Sequence, residues 1–284
     1  MKKILITILF IICFNLTFSQ NKATVITDSI YSQSLKSYSK FNVILPPNYY
    51  LNTDERFIVI YLLHGYTGDY NDWVSRTNVA KYATNYNFII VTPDAKNSWY
   101  VNAINKKNSN YEDYIIKELI PHIGKSYRAL DTRHGRVIAG LSMGGYGALR
   151  LALKYPNTFF YSGAFSGAFH ILSAITNLKD TKSNLIKDAI EIFGDKEGDF
   201  WNDCDIFKLI DKSNNLVLPY IYLSCGKDDV YELFDSNRKV AEALQKKKIM
   251  YEYHELPGSH NWVYWDKAIK DFLYKISIYD NLKP

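Results

Sequence analysis

Short apolar runs alternate with longer stretches of helical period along most of this chain. The short runs, rich in β-branched and aromatic residues, predict strands at residues 41–45, 57–63, 88–92, 136–139, 161–165, 219–224 and 250–255. Helical periodicity predicts helices near residues 78–86, 111–127, 144–154, 230–247 and 264–276. Several strands are apolar throughout, which is typical of a sheet covered on both faces. The alternation predicts an α/β fold with a doubly wound, mostly parallel sheet and helices on both faces.

The stretch from His170 to Asn215 interrupts this alternation, because it is polar and rich in Lys and Asp. The helical pattern within it is confined to about residues 183–193. We interpret the stretch as a short insertion over the carboxyl edge of the sheet, where such sheets bind their ligands. It would then act as a lid or a pocket wall. A solvated surface excursion is the alternative.

The N-terminus has a pattern of its own. Lys2 and Lys3 precede a largely apolar run at residues 4–14, and a polar stretch follows. This pattern is typical of a secretory signal peptide, and the run is shorter than the roughly 20 apolar residues that span a membrane. We expect a signal peptide at residues 1–20, a single domain at residues 21–284, and a secreted or periplasmic protein without stable membrane insertion.

Composition and charge narrow the range of partners. The chain is 47% hydrophobic and 22% charged, as expected of a globular protein with one sizeable core. Its formal charge of +5 is scattered along the sequence, so we expect no nucleic-acid partner. After the signal only Cys204 and Cys225 remain, which allow one pair at most and no disulfide framework. The sequence does not indicate an oligomeric state.

One motif carries the chemistry. Gly140-Leu-Ser142-Met-Gly144 lies between an apolar strand and a helix-forming run, which is the setting of a nucleophile elbow. The glycines allow a strand and a helix to meet at a sharp, strained turn. A five-residue pattern of this kind is weak evidence alone, because it can occur by chance. The strand before it and the helix-forming run after it favour the catalytic interpretation. We therefore predict that Ser142 is the nucleophile of an acyl transfer reaction.

A serine needs a base, and in this fold the partners follow in the order Ser, acid, His. The histidines after Ser142 are His170, His254 and His260. His254 lies in an alternating strand, and His170 opens the polar insertion. His260 lies in a Pro-Gly-Ser-His turn between the last strand and the last helix, where a loop can present an imidazole across the sheet edge. His260 is therefore the predicted general base.

The acid is expected after the penultimate strand. That strand ends in Gly226-Lys227-Asp228-Asp229. The acid holds the imidazole in the required tautomer and stabilises the imidazolium. Position alone does not choose between the two aspartates, and the other one would be a turn or capping residue.

The oxyanion hole requires two backbone N–H groups aimed at the developing negative charge. Met143, directly after the nucleophile, supplies one candidate. The strand at residues 57–63 runs into His64-Gly65-Tyr66, and the Tyr66 N–H is the second candidate. His64 lacks the companions of a metal site. We expect neither a metal nor an organic cofactor.

Together these motifs resemble the esterase D family of α/β-hydrolases. The resemblance rests on residues 62–65, 140–149, 226–229 and 258–260, and extends from about Phe41 to Phe272. The family includes feruloyl and acetylxylan esterases, S-formylglutathione hydrolases, tributyrin esterase and mycolyltransferases. The resemblance implies an α/β-hydrolase fold and serine esterase chemistry. It also selects Asp229, the third residue after the loop glycine, as the acid and supports Tyr66 as the second oxyanion donor.

The resemblance leaves the substrate open. An export signal is unlike the cytosolic S-formylglutathione hydrolases and favours extracellular esters, such as acetyl or feruloyl groups on carbohydrate, or other small esters. His64, Trp99 and Tyr100 are candidate substrate contacts, since aromatic residues after strands could stack on a sugar or an aromatic acyl group. A general excess of tyrosine, 24 residues, is the alternative explanation of the aromatic content.

Four other functions are alternatives to this one. An acyltransferase would use the same three residues with a different acceptor, and an S-formylglutathione hydrolase-like thioesterase would differ in its substrate. A non-catalytic glycan-binding protein on a hydrolase fold would have no need of Ser142, Asp229 and His260. A glycosidase would use two facing carboxylates and would have no use for the elbow.

Overall fold

Eight strands form one sheet in the part of the chain that the computed structural model describes, residues 22–51, 53–178, 182–215 and 217–281. The strands are β1 Thr24–Ser32, β2 Ser37–Leu45, β3 Ile58–Leu63, β4 Phe88–Pro93, β5 Arg136–Leu141, β6 Tyr161–Phe165, β7 Tyr220–Gly226 and β8 Tyr251–Leu256. The expected signal peptide at residues 1–20 lies outside the described residues.

The strand order across the sheet is β1-β2-β4-β3-β5-β6-β7-β8. β1 and β2 pair antiparallel, as do β2 and β4, and every later pair is parallel. The parallel strands therefore deliver their carboxyl ends to a common edge. The predicted doubly wound, mostly parallel sheet is confirmed.

The helices are α1 Asp72–Arg76, α2 Val79–Ala83, α3 Tyr111–Asp113, α4 Ile120–Ser126, α5 Met143–Lys154, α6 Ile171–Leu178, α7 Asn184–Phe193, α8 Asp199–Asn202, α9 Ile206–Lys212, α10 Tyr231–Lys246 and α11 Trp262–Asn281. A π-helical segment, Tyr114–Leu119, joins α3 to α4, so the predicted helix at residues 111–127 exists with an irregular middle. Short 3-10 turns occur at Pro47–Tyr50 and Arg133–Gly135.

Two apolar cores lie on opposite faces of the sheet, and β3 contributes to both. Val59, Tyr61 and Leu63 belong to one core, which also contains residues of α5, α7 and α10. Ile58, Ile60 and Leu62 belong to the other, which contains residues of α2 and α11. Because successive side chains of a strand point to opposite faces, a strand buried on both sides must be apolar at every position.

An edge strand and the insertion differ from the prediction. β1 was not predicted, since this edge strand is exposed or half-exposed over most of its length and has no apolar run. The described residues of the insertion at residues 170–215 form four helices, α6 to α9, where the sequence indicated one. Ile186, Ala189 and Ile192 of α7 are buried, so the insertion is packed on the core and the alternative of a solvated excursion is wrong.

Candidate active site

Ser142 connects the end of β5 to the start of α5 and has a strained backbone, with φ 52° and ψ −117°. A Cβ on Gly140 would lie 2.5 Å from the Gly144 carbonyl group, and a Cβ on Gly144 would lie 2.5 Å from the backbone oxygens of Leu63 and His64. Both glycines are therefore required by close backbone approach. The Ser142 N–H donates to Phe165 O at 2.9 Å, and its carbonyl accepts from Ala168 N at 3.1 Å, so neighbouring segments hold the strained residue in place.

His260 and Asp229 meet because the loops after β7 and β8 pack tightly together. A Cβ on Gly226 would collide with the carbonyl oxygen of Gly258, and Gly258 itself has a φ of +142°. The close approach brings His260 Nδ1 to 3.1 Å from Asp229 Oδ1 and 3.2 Å from Oδ2. On the other side of the ring, His260 Nε2 lies 3.0 Å from Ser142 Oγ. The three side chains form one continuous hydrogen-bonded chain.

The tautomer of His260 follows from its partners. A carboxylate only accepts hydrogen bonds, so the ring proton of neutral His260 belongs on Nδ1, which leaves Nε2 free to accept from the Ser142 hydroxyl. The ring packs edge-on against Trp265, with centroids 4.8 Å apart, which restricts its rotation. Ser142 is thus presented to an unprotonated imidazole nitrogen.

The Asp229 side chain is fully buried, with a relative exposure of 0%. Burial alone would raise the pKa of this carboxyl, but its interaction with His260, together with hydrogen bonds from Ser166 and the Val230 backbone, outweighs burial and holds the pKa below its ordinary value. The Val230 N–H donates to Asp229 Oδ1 at 2.7 Å and adds to the stabilisation of the charged form. Asp229 is therefore ionised at neutral pH and can balance a positive charge on His260.

The other candidates are not part of this hydrogen-bonded chain. Asp228 is exposed, and its backbone N–H donates to Gly258 O. His254 stacks on Tyr222 and pairs with Glu252 at 2.8 Å on the edge strand. His170 is half-buried at the start of the insertion, and burial lowers its pKa.

The loop after β3 runs beside the nucleophile. A Cβ on Gly65 would lie 3.6 Å from Ser142 Cβ, so the backbone of this loop comes within van der Waals reach of Ser142. Tyr66 follows Gly65 and lines the same pocket as Ser142. Met143 is the first residue of α5, whose first-turn N–H groups have no intrahelical partner. Both predicted oxyanion donors therefore belong to backbone segments that border Ser142.

The pocket above Ser142 has a volume of about 410 Å³. Trp262 and Trp265 form an aromatic wall, and Leu185 of α7 forms part of another. Arg76 lies at the rim, pairs with Asp72 at 3.0 Å and places its guanidinium 5.7 Å from the Trp262 ring centroid. The insertion thus contributes a side chain to this pocket.

Sequence reasoning missed these wall residues. Trp262 and Trp265 follow His260 at the second and fifth positions, so inspection of the histidine's own loop could have found them. Leu185 and Arg76 had no comparable signal, because only the fold brings α7 and α1 to the catalytic edge.

The prediction that His64, Trp99 and Tyr100 contact the substrate is wrong. All three side chains are buried, at 1%, 2% and 0% exposure, and none of them lines the pocket above Ser142. His64 accepts from Ala95 N at 2.9 Å and donates to Gly65 O at 2.8 Å, and burial lowers its pKa, so it is a neutral structural residue. Tyr100 OH donates to His64 O at 2.9 Å, and Trp99 packs against Tyr146. These side chains therefore stabilise the loops after β3 and β4 from below the site.

The described residues also bear on metal sites, disulfides and membrane spans. No group of three or more His, Cys, Asp or Glu side chains there could hold a metal ion. Cys204 and Cys225 are both buried and free. None of the described helices is long and apolar enough to cross a membrane.

Comparison with known proteins gives a consistent result. A family model described as "Putative esterase" matches residues 32–276. An acetyl esterase of Caldicellulosiruptor saccharolyticus is 32% identical over 251 residues, which cover 85% of this chain and 93% of that protein.

Solved structures agree. FphF, a fluorophosphonate-binding serine hydrolase of Staphylococcus aureus, matches with a TM-score of 0.79 and 26% identity over 90% of this chain and 98% of that one. A ferulic acid esterase matches with a TM-score of 0.73 and 25% identity over 90% of this chain and 97% of that one. The predicted family, the α/β-hydrolase fold and the enzyme class, a serine hydrolase acting on ester bonds, are confirmed. The chain belongs to the esterase D family of α/β-hydrolases.

Proposed function

We propose that this chain is an exported serine carboxylesterase that hydrolyses acetyl or feruloyl esters of carbohydrate, or other small esters, through an acyl-Ser142 intermediate. The observation that most strongly supports this function is the hydrogen-bonded chain from Ser142 through His260 to Asp229, with 3.0 Å between Ser142 Oγ and His260 Nε2. This geometry gives a weak nucleophile direct access to a base.

The reaction follows from the atoms present. Ser142 Oγ attacks the ester carbonyl carbon while His260 Nε2 takes the hydroxyl proton, and the resulting imidazolium is stabilised by Asp229. The N–H groups of Tyr66 and Met143 stabilise the oxyanion of the tetrahedral intermediate. His260 then gives its proton to the leaving alcohol, and the acyl group stays on Ser142.

The second half repeats these steps with water. His260 Nε2 takes a proton from water, the hydroxide attacks the acyl carbon, and His260 returns the proton to Ser142 Oγ as the acid leaves. The positive end of the α5 helix dipole lies at Ser142 and favours the negative charge that develops there in both halves of the reaction. No cofactor is needed for either half.

The substrate class has two sources of support. The relatives described above include an acetyl esterase and a ferulic acid esterase. The pocket itself is lined by two indole rings, and of these the half-exposed Trp262 suits stacking on a sugar ring or an aromatic acyl group. Export is supported by the basic and apolar pattern of residues 1–20 alone.

Hydrolysis of a small ester panel tests the proposal. The mature protein is assayed on p-nitrophenyl acetate, p-nitrophenyl butyrate, methyl ferulate and acetylated xylan, beside Ser142→Ala and a control, Ser277→Ala, at a serine near the end of α11. We expect Ser142→Ala to lower turnover by at least about four orders of magnitude and Ser277→Ala to leave it unchanged. Absence of Ser142-dependent turnover on all four esters would contradict the proposed function.

A further inference from the structure

The loop that carries the proposed Tyr66 oxyanion donor is strained. Thr67, the next residue, has a φ of +63°, a left-handed conformation that β-branched residues rarely adopt. Gly68 N–H closes the turn by donating to Gly65 O at 3.1 Å. Backbone strain of this kind persists only where the surrounding structure holds the residue in place.

The restraint on this loop comes from a carboxylate of the insertion. Asn97 Oδ1 accepts from the Thr67 N–H at 2.8 Å, and Asn97 Nδ2 donates to Asp188 Oδ2 at 2.9 Å. The Tyr66 hydroxyl donates to the same oxygen at 2.8 Å. Asp188 Oδ2 therefore accepts hydrogen bonds from the Tyr66 hydroxyl and from the Asn97 amide, and Asn97 in turn accepts the N–H of Thr67.

Asp188 lies on a firmly seated helix. Ile186 and Ala189, on either side of it in the sequence of α7, are buried in the core. The carbonyls of Glu191 and Ile192 accept backbone N–H bonds from Asn105 and Ile104 at 3.2 and 3.0 Å, which tie the helix to the loop after β4. The helix can therefore act as a fixed support for the Tyr66 loop.

The Tyr66 hydroxyl, which donates to Asp188, stays protonated. Burial, together with the hydrogen bond to Asp188, raises the pKa of Tyr66 to about 12, so its hydroxyl donates throughout the neutral range. Leu185, one helical turn before Asp188, lines the pocket above Ser142. The same face of α7 thus reaches both the pocket and the loop.

We propose that Asp188 is a positioning residue that holds the strained Tyr66 loop, through the Tyr66 hydroxyl and the Asn97 amide, so that the Tyr66 N–H points at the oxyanion formed at Ser142. The inference rests on the proposed esterase function. Oxyanion donors are effective because they are fixed in place before charge develops, so a loosened loop weakens binding of the transition state more than binding of the ester.

The test compares four single variants and one double variant with the wild-type enzyme on p-nitrophenyl acetate. Asp188→Ala is expected to lower kcat by about 10- to 100-fold and to change KM by less than about threefold. Asp188→Asn keeps an acceptor oxygen and is expected to restore kcat to within about threefold of wild type. Glu191→Ala removes an exposed carboxylate from the same helix, where it pairs with Lys106, and is expected to leave both constants unchanged.

Tyr66→Phe keeps the backbone N–H and removes only the hydroxyl. It is expected to lower kcat with KM unchanged, and Asp188→Ala added to it is expected to cost less than it does in the wild-type background, because the two groups act through one hydrogen bond. If Asp188→Ala does not fold, as judged by circular dichroism, Tyr66→Phe decides the question by the same kcat criterion.

The outcomes separate the two proposals. Wild-type kcat in Asp188→Ala, or a loss confined to KM, would overturn the positioning role while leaving the esterase function intact. A loss in Asp188→Asn as large as that in Asp188→Ala would also overturn it, since charge rather than hydrogen bonding would then be responsible. An enzyme without any Ser142-dependent hydrolysis would instead remove the function on which the inference rests.

Discussion

Ser142, His260 and Asp229 form a chain in which each residue constrains the next. The buried Asp229 carboxylate lies within 3.2 Å of the His260 ring nitrogen through both oxygens, which fixes the proton on Nδ1. The opposite nitrogen is then free for the Ser142 hydroxyl, 3.0 Å away. The proton assignment of the histidine therefore depends on the acceptor character of residue 229.

Replacing Asp229 by Asn tests that dependence. An amide can present its NH₂ group to the ring and favour the wrong tautomer, so Asp229→Asn is expected to lower kcat by about three to four orders of magnitude. Asp228→Asn, its exposed neighbour, is the matched control and is expected to change kcat by less than about twofold. Steady-state kinetics on p-nitrophenyl acetate measures both, and a reversed order would show that Asp228 is the acid.

The sequence was informative for residues whose chemistry dictates their position. Gly140 and Gly144 mark a turn that other residues could not form, and chain order then singles out His260. Trp99 and Tyr100 were misassigned because an aromatic residue after a strand can point into the core or into a pocket, and the sequence pattern is the same in both cases. The Asp188 to Tyr66 contact joins residues 122 positions apart and leaves no local signal.

At the scale of elements, α5 is held to the segment at α3 by a buried ion pair. Arg150 and Glu112 are 1% and 3% exposed, and Arg150 Nη1 lies 2.7 Å from Glu112 Oε2. Arg150 Nε also donates to Asp203 O at 2.9 Å, which ties the insertion to the same helix. Because α5 begins at the nucleophile, this pair fixes the helix that carries Ser142.

Loss of one partner should therefore be costly. Glu112→Gln leaves the Arg150 charge buried without its counterion and is expected to lower the free energy of unfolding by about 3 kcal/mol at pH 7. Asp113, the neighbour of Glu112, forms a more exposed pair with Lys117. Asp113→Asn is therefore expected to lower the free energy of unfolding by less than about 0.5 kcal/mol. Urea unfolding measures the free energy of unfolding of both variants. Equal losses would show that the buried pair stabilises the fold no more than the exposed pair does.

The same pair sets an acid dependence. Burial alone would raise the pKa of Glu112, but Arg150, together with Tyr155 and Lys154, lowers it below the ordinary value of 4.5. The stabilisation is therefore complete above the unfolded-state pKa and is lost as the pH falls through the lower folded-state pKa. The difference in stability between wild type and Glu112→Gln is expected to shrink below about pH 4.5.

Which elements the sequence revealed depended on their burial. The strands β3 to β7 are almost wholly buried and were predicted within two residues at each end. β1 pairs along a mostly exposed edge, so its alternating pattern carried little signal. The helices α6, α8 and α9 were not predicted because they are only eight, four and seven residues long, and helices this short depend on packing against the core for their stability.

At the scale of the whole molecule, the parallel sheet gathers four loops at one edge. The loops after β3, β5, β7 and β8 contribute Tyr66, Ser142, Asp229 and His260 respectively. The helix α7 closes over this edge from the insertion and supplies Leu185 and Asp188. The fold class followed from the alternation of strands and helices, whereas the path of the insertion over the edge depends on tertiary contacts that the sequence pattern does not show.

The central claim is that Ser142 is the nucleophile, and covalent labelling tests it most directly. The protein is incubated with phenylmethylsulfonyl fluoride, and its intact mass and peptide map are measured beside those of Ser142→Ala. We expect one adduct per chain, located on Ser142, with loss of esterase activity in proportion to labelling and no adduct on the variant. An adduct on a different serine, or full ester hydrolysis by Ser142→Ala, would contradict the account.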